Sequence, residues 1–334
     1  MDSRHSNPDP QSIAMDDIRR AGARIRDCAW RTPLLSNALL DARCGATVLL
    51  KAECLQRTGS FKFRGAYNRL AALSPAEREA GVVAWSSGNH AQGIAAAAAL
   101  LGVRAAIVMP DDAPALKLAN TRSYGAEVLL YDRQRESRED IARNLAKARG
   151  AVLVPSYDDP YIIAGQGTVG LELAEQATAL EERLDVVLVC CGGGGLTAGM
   201  AIALESLSPA TRIYTVEPAG FDDHQRSLQS GRREGNDPAA RSICDALLAP
   251  MPGALTFPIN RQLVTGGLAV SDDEVRDAMR FAFEVLKLVL EPGGAVALAA
   301  MLSGRIELAG QTAAVVLSGG NVSAAHFARI LDLS

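Results

Sequence analysis

A series of short apolar runs punctuates the chain at 46–51, 81–84, 104–108, 127–130, 151–154, 186–190, 212–216 and 313–317. They are rich in valine, isoleucine and leucine, and most lack polar–apolar alternation. That is the pattern of parallel strands buried on both faces. Between many of them lie helical patterns: an alanine-rich segment at 93–101, segments of mixed polarity at 115–124 and 137–148, and further ones at 168–177, 197–206 and 272–289. Ser271, Asp272 and Asp273 give the last of these a cap and an acidic first turn. Strand–helix alternation of this kind predicts an α/β protein with parallel sheets. The polar stretch 229–237, with Gly231 and Gly235, is expected to be a surface loop.

Composition sharpens this only in places. Aromatic residues are 4% of the 334, while alanine and glycine are plentiful, which favours close-packed helices over an aromatic β core. A net charge of −4 gives no basic footprint for nucleic acid. The apolar runs are too short or too interrupted to span a membrane. The cysteines, Cys28, Cys44, Cys54, Cys190, Cys191 and Cys244, form no CxxC pair. With no export signal, they are expected to be reduced in a cytoplasmic protein. Residues 1–11 are polar, hold two prolines and read as a disordered tail. The histidines are His5, His90, His224 and His326, too few and too scattered for a multi-histidine zinc site.

Candidate chemistry sits where the runs give way to small and polar residues. In Thr58-Gly59-Ser60-Phe61-Lys62-Phe63-Arg64-Gly65-Ala66, the first three residues read as a turn and cap, placing Lys62 in the first turn of a helix. The positive end of the helix dipole lowers a lysine pKa and favours a neutral, nucleophilic amine. A solvated lysine beside Arg64 fits the same residues. Ser86-Ser87-Gly88-Asn89-His90 opens the alanine-rich helix. Its free N–H groups and hydroxyls suit a carboxylate, and Asn89 suits a phenolic oxygen. A plain helix cap with a structural His90 is the alternative. Cys191-Gly192-Gly193-Gly194-Gly195-Leu196 follows the run 186–190 and can close backbone N–H groups on a phosphate. Its structured flanks argue against a flexible linker, and no Gly-Lys-Ser/Thr follows to make a Walker A loop. Gly165-Gln166-Gly167-Thr168-Val169-Gly170 fits GxGxxG, yet Asp158-Asp159-Pro160-Tyr161 breaks any strand leading into it, so a nicotinamide site is not favoured. Ser318 follows the run 313–317 and could face a ligand ring, or sit in a simple turn. Glu217-Pro218-Ala219-Gly220-Phe221-Asp222-Asp223 spaces oxygen ligands that suit magnesium or calcium better than zinc, or forms an acidic surface loop.

Taken together and in this order, these segments resemble the serine/threonine dehydratase and serine racemase family of fold-type II pyridoxal-phosphate enzymes, which are tryptophan synthase beta-like. The resemblance runs from about 18 to 333. It implies two parallel-sheet, three-layer α/β/α domains: a discontinuous large one over 1–72 and 155–334, and a small mobile one over 73–154. It implies that Lys62 carries pyridoxal 5'-phosphate as a Schiff base, with Phe61 beside the ring. Gly192, Gly193, Gly194, Gly195 and Leu196 would hold the phosphate, Asn89 the ring hydroxyl and Ser318 the pyridine nitrogen. Ser86, Ser87, Asn89, His90 and Arg138 would hold substrate. Ser87 would also be catalytic, on the face opposite Lys62. Glu217, the Phe221 carbonyl and Asp223 would bind Mg2+ or another divalent cation. The activity implied is a serine/threonine ammonia-lyase: Lys62 takes the α-proton, the β-hydroxyl leaves as water, and a 2-oxo acid and ammonia result. Alternatives are a serine racemase, a 3-hydroxyaspartate dehydratase or a non-catalytic pyridoxal-phosphate-binding protein. A small amino-acid substrate and a homodimer are expected, with neither nucleic acid nor membrane as partner. Ala249 and Pro250 depart from the serine racemase pattern, which has serines near the substrate there.

Overall fold

The computed structural model describes residues 13–332. The expected tail at 1–11 lies outside the described residues. Each apolar run becomes a strand. In chain order these are β1 (Leu34–Leu35), β2 (Thr47–Lys51), β3 (Val82–Trp85), β4 (Ala105–Pro110), β5 (Glu127–Tyr131), β6 (Val152–Leu153), β7 (Val186–Cys190), β8 (Arg212–Pro218), β9 (Gly266–Val270) and β10 (Thr312–Val316). The short strands β1 and β9 carry no unbroken apolar run and were not expected.

The strands form two sheets. One is six-stranded in the order β1-β2-β10-β7-β8-β9, and the other is four-stranded in the order β5-β4-β3-β6. All pairings are parallel except that of β1, which runs antiparallel to β2 at the edge. Alternation inside a strand explains why both faces are covered. Val48, Leu50, Val186 and Leu188 join one core, while Leu49, Val187 and Val189 join another. The smaller sheet does the same: Val82 and Ala84 face one apolar layer, and Val83 faces a second with Ala142 and Ala146 of a flanking helix. This is the expected mixed α/β architecture with parallel sheets.

Two local expectations need correction. Ser60 is not the helix cap: it forms an isolated bridge with Gly319, and Phe61 takes the N-cap position of helix Lys62–Ala71 without a capping side chain. The long helix expected at 272–289 stops at Phe281. A wide π turn, Ala282–Leu286, follows, and Lys287 at φ 61° ends it. The acidic first turn and the Ser271–Glu274 capping box specify where that helix starts, and nothing in the sequence marks its end.

Candidate active site

The sheets meet around a cavity of about 400 Å³, lined from both sides. The C-terminal ends of β3, β7 and β10 aim their following turns at it, where open α/β sheets place ligands. Phe61, Lys62, Ser86, Ser87, Asn89, His90, Arg138, Gly192, Gly193, Gly194, Gly195, Leu196 and Ser318 all line it. Thus every residue expected to touch cofactor or substrate falls on one surface. Glu217, Phe221 and Asp223 are not on that surface and lie behind the glycine turn.

Lys62 Nζ donates to the Ser156 carbonyl at 2.8 Å and lies 5.2 Å from the centre of the Phe61 ring. Burial lowers its pKa to about 8. The helix start assumed from sequence is there, but removal from water, rather than the helix dipole, is the cause that lowers it. His90 is buried, its Nε2 3.1 Å from the Val154 carbonyl oxygen. Burial first, and then the charge of Lys62, push its pKa down to about 3, so the ring is neutral.

The glycine turn exposes donors. Among the described residues, the N–H groups from Gly192 to Thr197 have no acceptor, and the first helical bond is Ala198 N–H to the Gly194 carbonyl. Gly194 sits at φ 91°, a conformation that side chains disfavour. A Cβ at Gly193 would run into the Tyr157 ring. Thr256 Oγ1 donates to the Gly193 carbonyl at 2.6 Å and fixes the turn from outside. An anion with several oxygens matches this row of unpaired donors at a helix N-terminus. The Ser86–His90 loop is a second such place. Ser86 Oγ is already engaged, accepting from Gly88 N–H at 3.1 Å, which leaves the Ser87 hydroxyl the less committed of the two.

Other site residues were not visible from sequence. Glu291 is buried and accepts from Asn89 Nδ2, and Asn89 Oδ1 accepts from Asn321 at 2.8 Å. Lys117 donates to Glu291 at 3.1 Å and to Asp245 at 2.8 Å. Burial pulls its pKa down, but the two carboxylates outweigh that and hold it above the ordinary range. Arg233 reaches the cavity from the 229–237 loop, anchored by Nε to the Pro252 carbonyl at 2.7 Å. Only Glu291-Pro292-Gly293-Gly294, the N-cap and first turn of an apolar helix, could have drawn attention in advance. Ala249 lines the cavity, and Pro250 does not.

Behind the turn, Glu217 is fully buried and accepts from the backbone N–H of His224 at 2.9 Å and of Gln225 at 2.8 Å. Burial pushes its pKa up to about 8 despite those bonds. Asp223 is raised to about 7, by burial and then by Glu217. Phe221 is buried, its N–H bonded to the Pro218 carbonyl at 2.9 Å.

A family profile described as pyridoxal-phosphate dependent enzyme matches residues 25–319. The chain is 48% identical over 321 residues to an L-threo-3-hydroxyaspartate ammonia-lyase from a Pseudomonas species, covering 96% of this chain and 99% of the relative. Among solved structures it is similar to the threonine deaminase of T.th., with a TM-score of 0.87, 46% identity and coverage of 93% and 99%. It is also similar to maize serine racemase, with a TM-score of 0.90, 39% identity and coverage of 96% and 98%.

Proposed function

Because this chain belongs to the pyridoxal-phosphate dependent enzymes, in the branch of ammonia-lyases and racemases, we propose that it releases ammonia from a β-hydroxy amino acid whose best form is 3-hydroxyaspartate, water leaving the β-carbon and being taken up again when the product hydrolyses to the 2-oxo acid. Serine and threonine are smaller substrates that the same pocket admits. The residues present suit the cofactor: an amine of lowered pKa at Lys62, a row of unpaired N–H groups in the glycine turn, and a neutral hydroxyl at Ser318. Phe61 and Asn89 would flank the ring. When bound, pyridoxal phosphate draws electrons from the substrate's α-carbon.

The protein's own groups do the rest. The Ser87 hydroxyl and the backbone N–H groups of Asn89 and His90 offer donors to the α-carboxylate at the start of helix Asn89–Leu101. Lys62, neutral in appreciable fraction near pH 8, takes the α-proton. Ser87 is the less committed hydroxyl for proton transfer on the opposite face. We read 73–154 as a unit that closes over the substrate and excludes water.

One observation carries the substrate choice. Arg233, an exposed residue, lines the mouth of the cavity, and among the described residues no carboxylate pairs with it and no acceptor takes its terminal N–H groups. Arg138 lines the same cavity, bonded through Nε to Glu139 at 2.9 Å. Neither serine nor threonine brings an anion to such groups, whereas the β-carboxylate of 3-hydroxyaspartate does. The test is a panel of L-threo-3-hydroxyaspartate, L-serine and L-threonine, following oxo acid, ammonia and enantiomer. The expected order puts 3-hydroxyaspartate first, with oxaloacetate and ammonia as products. Arg233→Gln is expected to lower its kcat/KM about 10- to 100-fold, the worth of a hydrogen bond to a charged group, and to leave serine nearly unchanged. A wild-type preference for serine, or an equal loss for both substrates, overturns the choice. Racemisation without ammonia overturns the elimination.

A further inference from the structure

Where the chain returns from the four-stranded sheet to the six-stranded one, three consecutive residues reach three different parts of the cavity. The Ser156 carbonyl accepts from Lys62 Nζ at 2.8 Å. The Tyr157 ring packs against the glycine turn, so closely that a Cβ at Gly193 would overlap it. Asp158 lines the cavity too, but its carboxylate turns to a remote segment. Oδ2 accepts from Ala254 N–H at 2.8 Å, and Oδ1 accepts from Leu255 N–H at 2.8 Å and Thr256 N–H at 3.3 Å. These groups stand at the start of helix Thr256–Leu263, whose N-cap Leu255 offers no capping side chain. A carboxylate there satisfies donors the helix leaves unpaired and complements the positive end of its dipole. The next residue, Asp159, caps helix Pro160–Ala179 instead, so the two acids have separate tasks.

The segment that Asp158 holds is the one that grips the glycine turn. Gly253 N–H donates to the Gly193 carbonyl at 3.2 Å, and Thr256 Oγ1 donates to the same oxygen at 2.6 Å. A Cβ at Gly253 would collide with both Asp158 Oδ1 and Thr256 Oγ1, so glycine lets the three meet. A trans peptide is planar, with its C=O and N–H pointing opposite ways. Holding the Gly193 carbonyl toward helix Thr256–Leu263 therefore turns the Gly194 N–H the other way. Gly194 lines the cavity, and its N–H has no acceptor among the described residues. Asn260 Nδ2, from the same helix, lies 3.4 Å from the Gly194 carbonyl and steadies the next peptide in the same sense.

We propose that Asp158 is a positioning residue for the cofactor's phosphate: through Gly253 and Thr256 it aims the Gly194 N–H at that anion. This rests on reading the glycine turn as the phosphate site. The sign of the effect is diagnostic. As a bare charge in the cavity wall, Asp158 would repel a phosphate, and neutralising it would tighten binding. As a positioning residue, its loss weakens binding.

The test uses protein freed of cofactor and two ligands: pyridoxal 5'-phosphate, and pyridoxal, which lacks the phosphate but still meets Lys62. Ring absorbance gives both dissociation constants. Asp158→Asn, which keeps size and removes the charge, is expected to weaken pyridoxal phosphate about 10-fold, the worth of a charge-assisted hydrogen bond, and to leave pyridoxal within about twofold. Thr256→Val is expected to weaken pyridoxal phosphate alone, about 3- to 10-fold, whereas Thr256→Ser, which keeps the hydroxyl, should bind both ligands as the wild type does. In the double variant of Asp158→Asn and Thr256→Val the losses should not add, because both act on one carbonyl. If Asp158→Asn does not fold, Asp158→Glu, which moves the carboxylate but keeps its charge, gives the same readout. Equal weakening of both ligands overturns the inference, since general loosening does that. Unchanged or tighter pyridoxal phosphate binding in the Asp158 variant, beside a wild type that prefers the phosphate, also overturns it and leaves the turn as the phosphate site. A wild type that binds pyridoxal as tightly as its phosphate overturns the reading of the turn, and this inference with it.

Discussion

At Lys62 the reactive amine is set by removal from water. Its neighbours supply one carbonyl acceptor and an aromatic face, and among the described residues no carboxylate pairs with it. The neutral amine is the form that attacks an aldehyde. Protein freed of cofactor should therefore load pyridoxal phosphate at a rate that rises about tenfold per pH unit below 8 and levels off above it. An unperturbed lysine would keep gaining until about pH 10.4. Stopped-flow absorbance against pH decides between them, and a rate still climbing well above pH 8 refutes the burial argument. Lys62→Ala should lose covalent cofactor and elimination together. His90 differs in kind: with its pKa near 3, it stays neutral through the working range, its Nε2–H donating to the Val154 carbonyl. Its ring NMR signals should not titrate between about pH 5 and 8. A midpoint inside that range would place a carboxylate or water beside the ring that the structure does not show.

At the scale of elements, the GxGxxG motif shows how one local pattern serves two purposes. Gly165, Gly167 and Gly170 lie inside helix Pro160–Ala179, buried, with no phosphate loop near them. They let helices cross closely. A Cβ on Gly65 would sit 2.8 Å from the Ile162 carbonyl, one on Gly165 2.9 Å from the Arg64 carbonyl, and one on Gly199 2.8 Å from Gly167 Cα. Lys62 rides on helix Lys62–Ala71 and the glycine turn on helix Gly195–Leu207, so helix Pro160–Ala179 sets the spacing between the amine and that turn. Gly199→Ala should cost about 1–3 kcal/mol or more, since the clash is with backbone that cannot rotate away. Gly22→Ala, in helix Met15–Ile25, meets only side-chain atoms, Leu171 Cδ2 at 3.4 Å and Thr168 Cγ2 at 4.0 Å, and should stabilise by up to about 1 kcal/mol. Chemical denaturation of both variants checks the signs, and a neutral Gly199→Ala would remove the close-crossing account. The sequence made the strands legible because they are buried on both faces and so read as unbroken apolar runs. Helix Pro292–Leu302 was not legible for the related reason that it is buried almost all round and shows no amphipathic period. The site was legible wherever a strand ended in glycine, serine or asparagine. Lys117, Glu291 and Arg233 stayed hidden because their chemistry comes from partners far away in the chain.

Across the whole molecule, the two sheets are tied by those hidden residues. Lys117 follows β4, in the four-stranded sheet, and binds Asp245 and Glu291 from the side of the six-stranded sheet. Glu291 in turn accepts from Asn89, so one ion-pair cluster touches both the cavity wall and the contact between the sheets. Burial raises the pKa of Glu291, and the charge of Lys117 works against that rise. Lys117→Met therefore removes the counter-charge of a buried carboxylate and should destabilise by a few kcal/mol. The Asp245 arm, 38% exposed, contributes little of that. The loss should appear first as faster hydrogen exchange in β3, β4 and β5, where the smaller sheet loosens before the larger one. Adding Glu291→Gln to Lys117→Met removes the stranded charge while keeping a hydrogen-bonding group beside Asn89. The double variant should be more stable than Lys117→Met alone, because breaking a buried pair costs more than replacing both partners. If the second change brings no recovery, or exchange rises equally in both sheets, the cluster is packing that happens to be charged, and the tie between the two halves must be sought elsewhere.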